Sequence, residues 1–130
     1  MTLPPEIEEG NVEYKRKLTD IEPFREEQLT TQMKWRINEG EGEAIYYIGV
    51  NDDGSIYGLS NKEFGISIKN LSKLSKKINA KIYKLTKLFD NKKLYCKVKI
   101  CFNKSNITDK EYYIGLLGNT LSGKSSLISV

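Results

Sequence analysis

The 130-residue sequence contains no histidine, only two cysteines and three prolines, and no long hydrophobic run. Without histidine there is no Ser-His-Asp triad, no histidine-based acid–base catalysis and no histidine metal ligand. Two cysteines can neither build a disulfide framework nor fill a four-ligand zinc site. No stretch of about 18 apolar residues is present, so we expect no transmembrane helix and no membrane partner. Residues 1–10 are acidic and lack the features of a secretory signal, which favours a cytoplasmic location.

Arginine is absent from the second half of the chain, and the charge is distributed unevenly. Residues 1–60 carry a net charge of −7, whereas residues 61–130 carry +11, all of it from lysine. Lysine is a point charge that suits phosphate backbones and is poorly suited to bidentate reading of bases. The imbalance indicates either an RNA or ribosome contact surface or simply a solvated face.

The first part of the chain predicts an acidic arm and a helix. Residues 1–22 hold a Pro-Pro pair and clustered glutamates, so we interpret them as irregular. A helix is predicted from Pro23 to just before Gly40, because proline suits the first helical position and glycine ends helices. Its apolar stripe recurs at helical spacing in Leu29, Met33 and Ile37. Trp35 lies off that stripe, and we interpret it as a second packing position rather than an exposed contact.

A β-hairpin is predicted next. Residues 44–50 are rich in aromatic and β-branched side chains, as strands are. The sequence Asn-Asp-Asp-Gly at 51–54 is typical of a turn, which explains Asp52 and Asp53 better than a metal site does. Residues 56–59 then return as the second strand of the hairpin.

A second helix is predicted from a capping box at Ser60 and Glu63 to about Asn79. Its apolar stripe consists of Phe64, Ile68, Leu71, Leu74 and Ile78. A separate basic stripe consists of Lys69, Lys73 and Lys76, which we call the helix lysines. They are the candidate RNA-contact residues, because an amphipathic helix can pack on a sheet and offer its cationic face to a partner.

Two further strands are predicted at residues 81–89 and 94–102. The second alternates strictly between apolar and polar positions, which is the period of a strand with one buried face. Cys96 and Cys101 are an odd number of residues apart and therefore fall on opposite faces. We expect Cys96 in the core and Cys101 as a free thiol.

The last twenty residues match the phosphate-binding P-loop. The apolar run at 112–117 predicts a buried strand, and the eight residues after it fit G-x-x-x-x-G-K-[ST]. Backbone N–H groups of the loop would cradle phosphates, Lys124 would neutralise the β- and γ-phosphates, and Ser125 would ligate Mg²⁺. The predicted nucleotide-binding residues are Gly118, Asn119, Thr120, Leu121, Ser122, Gly123, Lys124, Ser125 and Ser126. No catalytic residue is assigned.

The fold class predicted is α+β. A small N-terminal domain with a β-hairpin, a basic amphipathic helix and further antiparallel strands precedes the first strand and P-loop of a truncated α/β GTPase domain. Only 12 residues follow Gly118, too few for the other strands of such a domain. The predicted divisions are an arm at 1–22, the α+β domain at 23–103, a linker at 104–110 and the start of the GTPase domain at 111–130.

Several segments resemble the GTP-binding protein 1 and 2 family of translational GTPases, which are related to elongation factors Tu and one-alpha. The resemblance spans nearly the whole chain. The segments that carry it are 3–6, 10–15, 31–36, 39–44, 48–50, 58–59, 117–119 and 122–125. The family P-loop reads G-N-V-D-S-G-K-[ST], from which this chain departs at Thr120 and Leu121. The acidic position replaced by Leu121 is linked, in related GTPases, to a monovalent cation near the phosphates.

The resemblance implies GTP as ligand, Mg²⁺ as cofactor, and GTP hydrolysis coupled to the ribosome, translation or mRNA surveillance. The partners it implies are the ribosome, tRNA or mRNA. The 130-residue chain alone is expected to be inactive as a GTPase. The alternative is an RNA- or ribosome-binding α+β module whose P-loop is a non-functional remnant.

Overall fold

The computed structural model describes residues 3–103, which form two helices on one face of a four-stranded sheet. The elements are β1 (Val12–Lys15), α1 (Pro23–Glu39), β2 (Glu43–Ile48), α2 (Asn61–Lys77), β3 (Ala80–Asp90) and β4 (Lys93–Phe102). The strand order is β1-β2-β4-β3. β1 runs parallel to β2, and the other neighbouring pairs are antiparallel. The α+β class is confirmed, with a mixed sheet.

The core lies between the sheet and the two helices. In β4 the residues Val98 and Ile100 are fully buried, because alternate side chains of a strand point to one face. From α1, Met33 and Ile37 are also fully buried, which confirms the predicted stripe. The same alternation buries Cys96 and leaves Cys101 half-buried on the other side, and both thiols are free.

Both helices begin as their sequences predict. Pro23 opens α1, and the Gly40 N–H closes it by donating to the Arg36 carbonyl. The capping box of α2 is complete: the Glu63 N–H donates to Ser60 Oγ, and the Ser60 N–H donates to Glu63 Oε1, both at 3.0 Å. Among residues 3–103, neither helix has the length and apolar character needed to cross a bilayer.

The predicted hairpin is present only in part: its turn forms, with the Gly54 N–H donating to the Asn51 carbonyl at 2.9 Å, but its second strand does not. Residues 56–59 form no strand; Ile56 and Leu59 each make only an isolated bridge, to Val50 and Leu94. The reason is that both edges of β2 are already occupied, by β1 and by β4. No edge of β2 remains for a second hairpin strand, so the returning chain pairs only with the residues just beyond β2, where the Tyr57 N–H donates to the Gly49 carbonyl at 2.8 Å.

Two other interpretations need correction. Part of the arm interpreted as irregular is β1, which the parallel pairing with β2 holds in the sheet. The division of the chain at residues 22, 103 and 110 stays a prediction. Trp35 is 43% exposed rather than packed, because Leu29, Met33 and Ile37 already turn the other side of α1 to the core. Its ring lies against Arg36, whose guanidinium carbon is 5.0 Å from the ring centroid.

Candidate functional site

The predicted nucleotide-binding residues, 118–126, lie outside the described residues, as does the strand predicted at 112–117. Within residues 3–103, the features of interest are the helix lysines and the network of contacts that anchors the arm. This part of the chain also carries a small basic cleft.

The helix lysines are exposed on the solvent side of α2. On the opposite side of the helix, Leu71 and Leu74 are buried against the sheet, so the predicted amphipathic arrangement is present. Within residues 3–103 none of the three helix lysines forms an ion pair. The next residue along, Lys77, is neutralised by Glu26 at 3.2 Å. Among the described residues, the stripe thus presents three cations without an ion-pair partner to an anionic ligand.

A buried arginine ties the arm to the fold. Arg36 Nε donates to Glu13 Oε1 at 2.8 Å, and both side chains are almost completely buried. Its terminal nitrogens donate to the carbonyls of Ile7, Glu9 and Gly10 at 2.8 to 3.1 Å. Because each of the three guanidinium nitrogens has a hydrogen-bond partner, the buried charge is compensated.

The arm also rests on the 51–54 turn. The Leu3 N–H donates to the Gly54 carbonyl at 2.9 Å, and the Glu6 N–H donates to the Asp52 carbonyl at 2.8 Å. The Tyr14 N–H donates to Glu6 Oε2 at 2.6 Å. Burial raises the pKa of the Glu6 carboxyl above its ordinary value. Sequence reasoning missed this network because the partners of Arg36 lie 23 to 29 residues away along the chain.

A cleft of about 600 Å³ opens beside the end of β1. Its basic lining residues are Lys15, Arg16, Lys17 and Arg25. Lys15 pairs with Glu13 at 3.1 Å, and Lys17 pairs with Glu63 at 3.3 Å. These ion pairs neutralise half of the positive charge, so we assign no ligand to the cleft. Residues 3–103 hold no group of three Cys, Asp or Glu side chains arranged to bind a metal ion.

Comparison with known proteins gives clear relatives. The chain is 41% identical to GTP-binding protein 2 of Homo sapiens over 98% of its length, and it covers 22% of that protein. It is 38% identical to an uncharacterized protein of Acanthamoeba polyphaga mimivirus, over 80% of this chain and 56% of that one. GTP-binding protein 1 of Xenopus laevis is 27% identical over 94% of this chain, which covers 19% of it. No family model and no solved structure matches the chain.

Proposed function

This chain belongs to the GTP-binding protein 1/2 family, and we propose that it binds GTP through residues 118–126. The observation that carries the proposal is the 41% identity to GTP-binding protein 2. That similarity covers 98% of the chain and therefore extends into the G-x-x-x-x-G-K-[ST] segment. The chain spans about a fifth of that relative, so the activity of a whole protein is a proposal as well.

The residue types in the loop fit a nucleoside triphosphate. Backbone N–H groups of a glycine-containing loop bind phosphate oxygens, and glycine at position 123 permits close approach of the backbone. Lys124 supplies a cation for the β- and γ-phosphates. Ser125 supplies a hydroxyl ligand for Mg²⁺, which neutralises phosphate charge when bound. These contacts do not involve the side chain of Leu121.

Hydrolysis of GTP in the intact protein, coupled to the ribosome, translation or mRNA surveillance, completes the proposal, with a cytoplasmic location. The helix lysines are its proposed contacts to ribosomal RNA, tRNA or mRNA. Their exposure, and the lack of ion pairs to them within residues 3–103, support this role. The surplus of lysine in residues 61–130 supports it further, because lysine pairs with phosphate without reading sequence.

A second candidate function is RNA binding with a P-loop that no longer binds nucleotide. The observation that favours it is Leu121, which stands at the position where the P-loop of the family it resembles has an aspartate. In that case the lysine-rich part of the chain would carry the activity alone.

The test is GTP binding by the full-length protein, measured by titration with a fluorescent GTP analogue and Mg²⁺. Lys124→Ala should weaken binding by at least about a hundredfold, because the phosphates lose their charge-assisted partner. Lys110→Ala, a lysine outside the loop, is the matched control and should bind as wild type does. Equal affinity of the Lys124 variant and wild type refutes the proposed site. No GTP binding by wild type, with RNA binding retained, establishes the second candidate.

A further inference from the structure

The face of the sheet that points away from both helices carries a concentration of lysine. On β4, Val98 and Ile100 point into the core, so the intervening Lys97 and Lys99 point to the opposite face. On β3, Lys81 and Lys84 share that face, because they pair with Cys101 and Lys99. We call these four lysines and Tyr83 the open sheet face.

The strand register places like charges side by side. Lys84 of β3 lies directly opposite Lys99 of β4, and Lys97 lies between Tyr47 of β2 and Thr86 of β3. Directly opposite side chains on antiparallel strands have Cβ atoms about 5 Å apart, and like charges there are destabilising. The domain therefore tolerates a repulsion that an anionic ligand would relieve.

An irregularity in β3 adds an aromatic ring to this face. The register shifts between Ile82 and Lys84, so that Tyr83 is the extra residue of a bulge. The Tyr83 hydroxyl donates to the Glu43 carboxylate, and Glu43 lies on the open side because its neighbour Ala44 is fully buried in the core. Tyr83 as a whole is 47% exposed. The ring is thus oriented at its hydroxyl end and remains accessible to solvent.

The positive charge of this face is not neutralised within the described residues. None of Lys81, Lys84, Lys97 and Lys99 forms an ion pair among residues 3–103. The carboxylates on this side are Glu43, which Tyr83 engages, and Asp90 at the far end of β3. The neighbouring arm covers the other edge of the sheet, where Leu3 and Val12 pack around Tyr14.

We propose that the open sheet face binds single-stranded RNA, with the lysines on successive phosphates and one base stacked on Tyr83. Sheet faces with exposed aromatic rings hold unpaired bases, and flanking cations follow the backbone. A surface that combines lysines with an exposed ring favours this partner over an acidic protein. The proposal rests on the RNA-binding part of the proposed function and not on GTP binding. Its site lies on the opposite side of the sheet from the helix lysines.

The experiment compares two charge-matched variants of the 130-residue chain. The sheet variant is Lys84→Glu/Lys97→Glu/Lys99→Glu, and the helix variant is Lys69→Glu/Lys73→Glu/Lys76→Glu. Fluorescence anisotropy measures binding to a labelled twenty-nucleotide oligouridine at 50 and 200 mM salt. The sheet variant should bind at least about tenfold more weakly than the helix variant. Its plot of log affinity against log salt should be flatter by about 2, because three phosphate contacts are lost.

Substitutions of Tyr83 test for base stacking, which the charge variants do not detect. Tyr83→Ala should weaken oligouridine binding by at least about fivefold and leave binding to duplex RNA unchanged, because duplex bases cannot stack on the ring. Tyr83→Phe keeps the ring and removes the hydroxyl bonded to Glu43, so it should bind as wild type does. Circular dichroism checks that each variant is folded. If the triple sheet variant fails to fold, the single variant Lys99→Glu replaces it. That substitution should not destabilise the sheet, since it turns the repulsion between Lys84 and residue 99 into an attraction.

Four results would overturn the proposal. Equal losses in the sheet and helix variants would show a charge effect without a site. Loss in the helix variant alone would assign RNA binding to the helix lysines and leave the proposed function intact. Tighter binding to a labelled polyglutamate than to oligouridine would assign the face to an acidic protein. If wild type binds no RNA, both RNA proposals fall, whereas the GTP titration still decides the nucleotide site separately.

Discussion

Replacing Arg36 with alanine should destabilise the domain more than any substitution of an exposed charge. The Arg36 side chain is 4% exposed and its partner Glu13 is 3% exposed. The variant would leave that carboxylate without its guanidinium partner and would remove the donors to three arm carbonyls. Arg36 therefore contributes to stability both through charge and through the position of the arm.

The expected loss follows from these contacts. Removing one partner of a buried ion pair costs about 3–5 kcal/mol, because the remaining charge stays desolvated and unpaired. Lys15 still lies 3.1 Å from the other oxygen of Glu13 and compensates part of that charge. We therefore expect a loss of about 3 kcal/mol in the free energy of unfolding, a large part of the roughly 5–15 kcal/mol typical of a domain. The unfolding free energy of Arg36→Lys should lie between those of wild type and Arg36→Ala, since one ammonium keeps the charge but cannot replace the planar fork of donors.

The assay is urea unfolding followed by circular dichroism, with Arg25→Ala as the matched control. Arg25 is an exposed arginine of the same helix, bonded only to Gln28 at 3.4 Å in the described part of the chain, so its loss should stay within about 0.5 kcal/mol. Adding Glu13→Gln to Arg36→Ala should restore part of the lost stability, because it removes the unpaired charge. A loss below about 0.5 kcal/mol for Arg36→Ala would refute the reasoning. A double variant that is no more stable than Arg36→Ala would assign the effect to the carbonyl contacts alone.

Three further predictions follow from single residues. Cys101 should react with a maleimide at pH 8 much faster than Cys96, because burial raises the pKa of the Cys96 thiol to about 11; equal rates of the two single-cysteine variants would contradict this. The backbone N–H of Ser60, at the start of α2, holds the pKa of Glu63 below its ordinary value. The ionised Glu63 therefore stabilises the domain at pH values above the ordinary glutamate pKa, and this stabilisation is lost as pH falls through the lowered pKa. Glu63→Gln should flatten the dependence of the unfolding free energy on pH in that acidic range, and an unchanged pH profile would refute the prediction. Gly49→Ala should destabilise the domain by about 1–3 kcal/mol, because φ is +94° and a Cβ would meet the Leu94 carbonyl oxygen at 3.1 Å. Gly65→Ala, where a Cβ within α2 would meet open space, should stabilise it by about 0.5–1 kcal/mol. The same urea assay compares the two variants, and changes of the same sign in their unfolding free energies would contradict the prediction.

Local patterns in the sequence determined the individual elements. The capping box at Ser60 and the proline at position 23 set where the helices begin, since those signals act within one helical turn. The strict alternation of β4 determined which of its side chains are buried. The P-loop was likewise readable from spacing alone, because a phosphate-binding loop is built from consecutive residues. It stays a prediction.

The tertiary structure decided the pairing between elements. β1 is four residues long and carries no strong strand signal, yet it becomes the parallel neighbour of β2, whereas the second strand of the predicted hairpin is reduced to isolated bridges. Arg36 reads as an ordinary helical arginine, and only the arm folding over α1 makes it a buried anchor. Alternation in β4 indicates that Lys97 and Lys99 share a face, but only the register of β3 sets Lys84 beside Lys99. Such contacts join residues far apart in sequence, and a pattern that spans a single element carries no information about its neighbours.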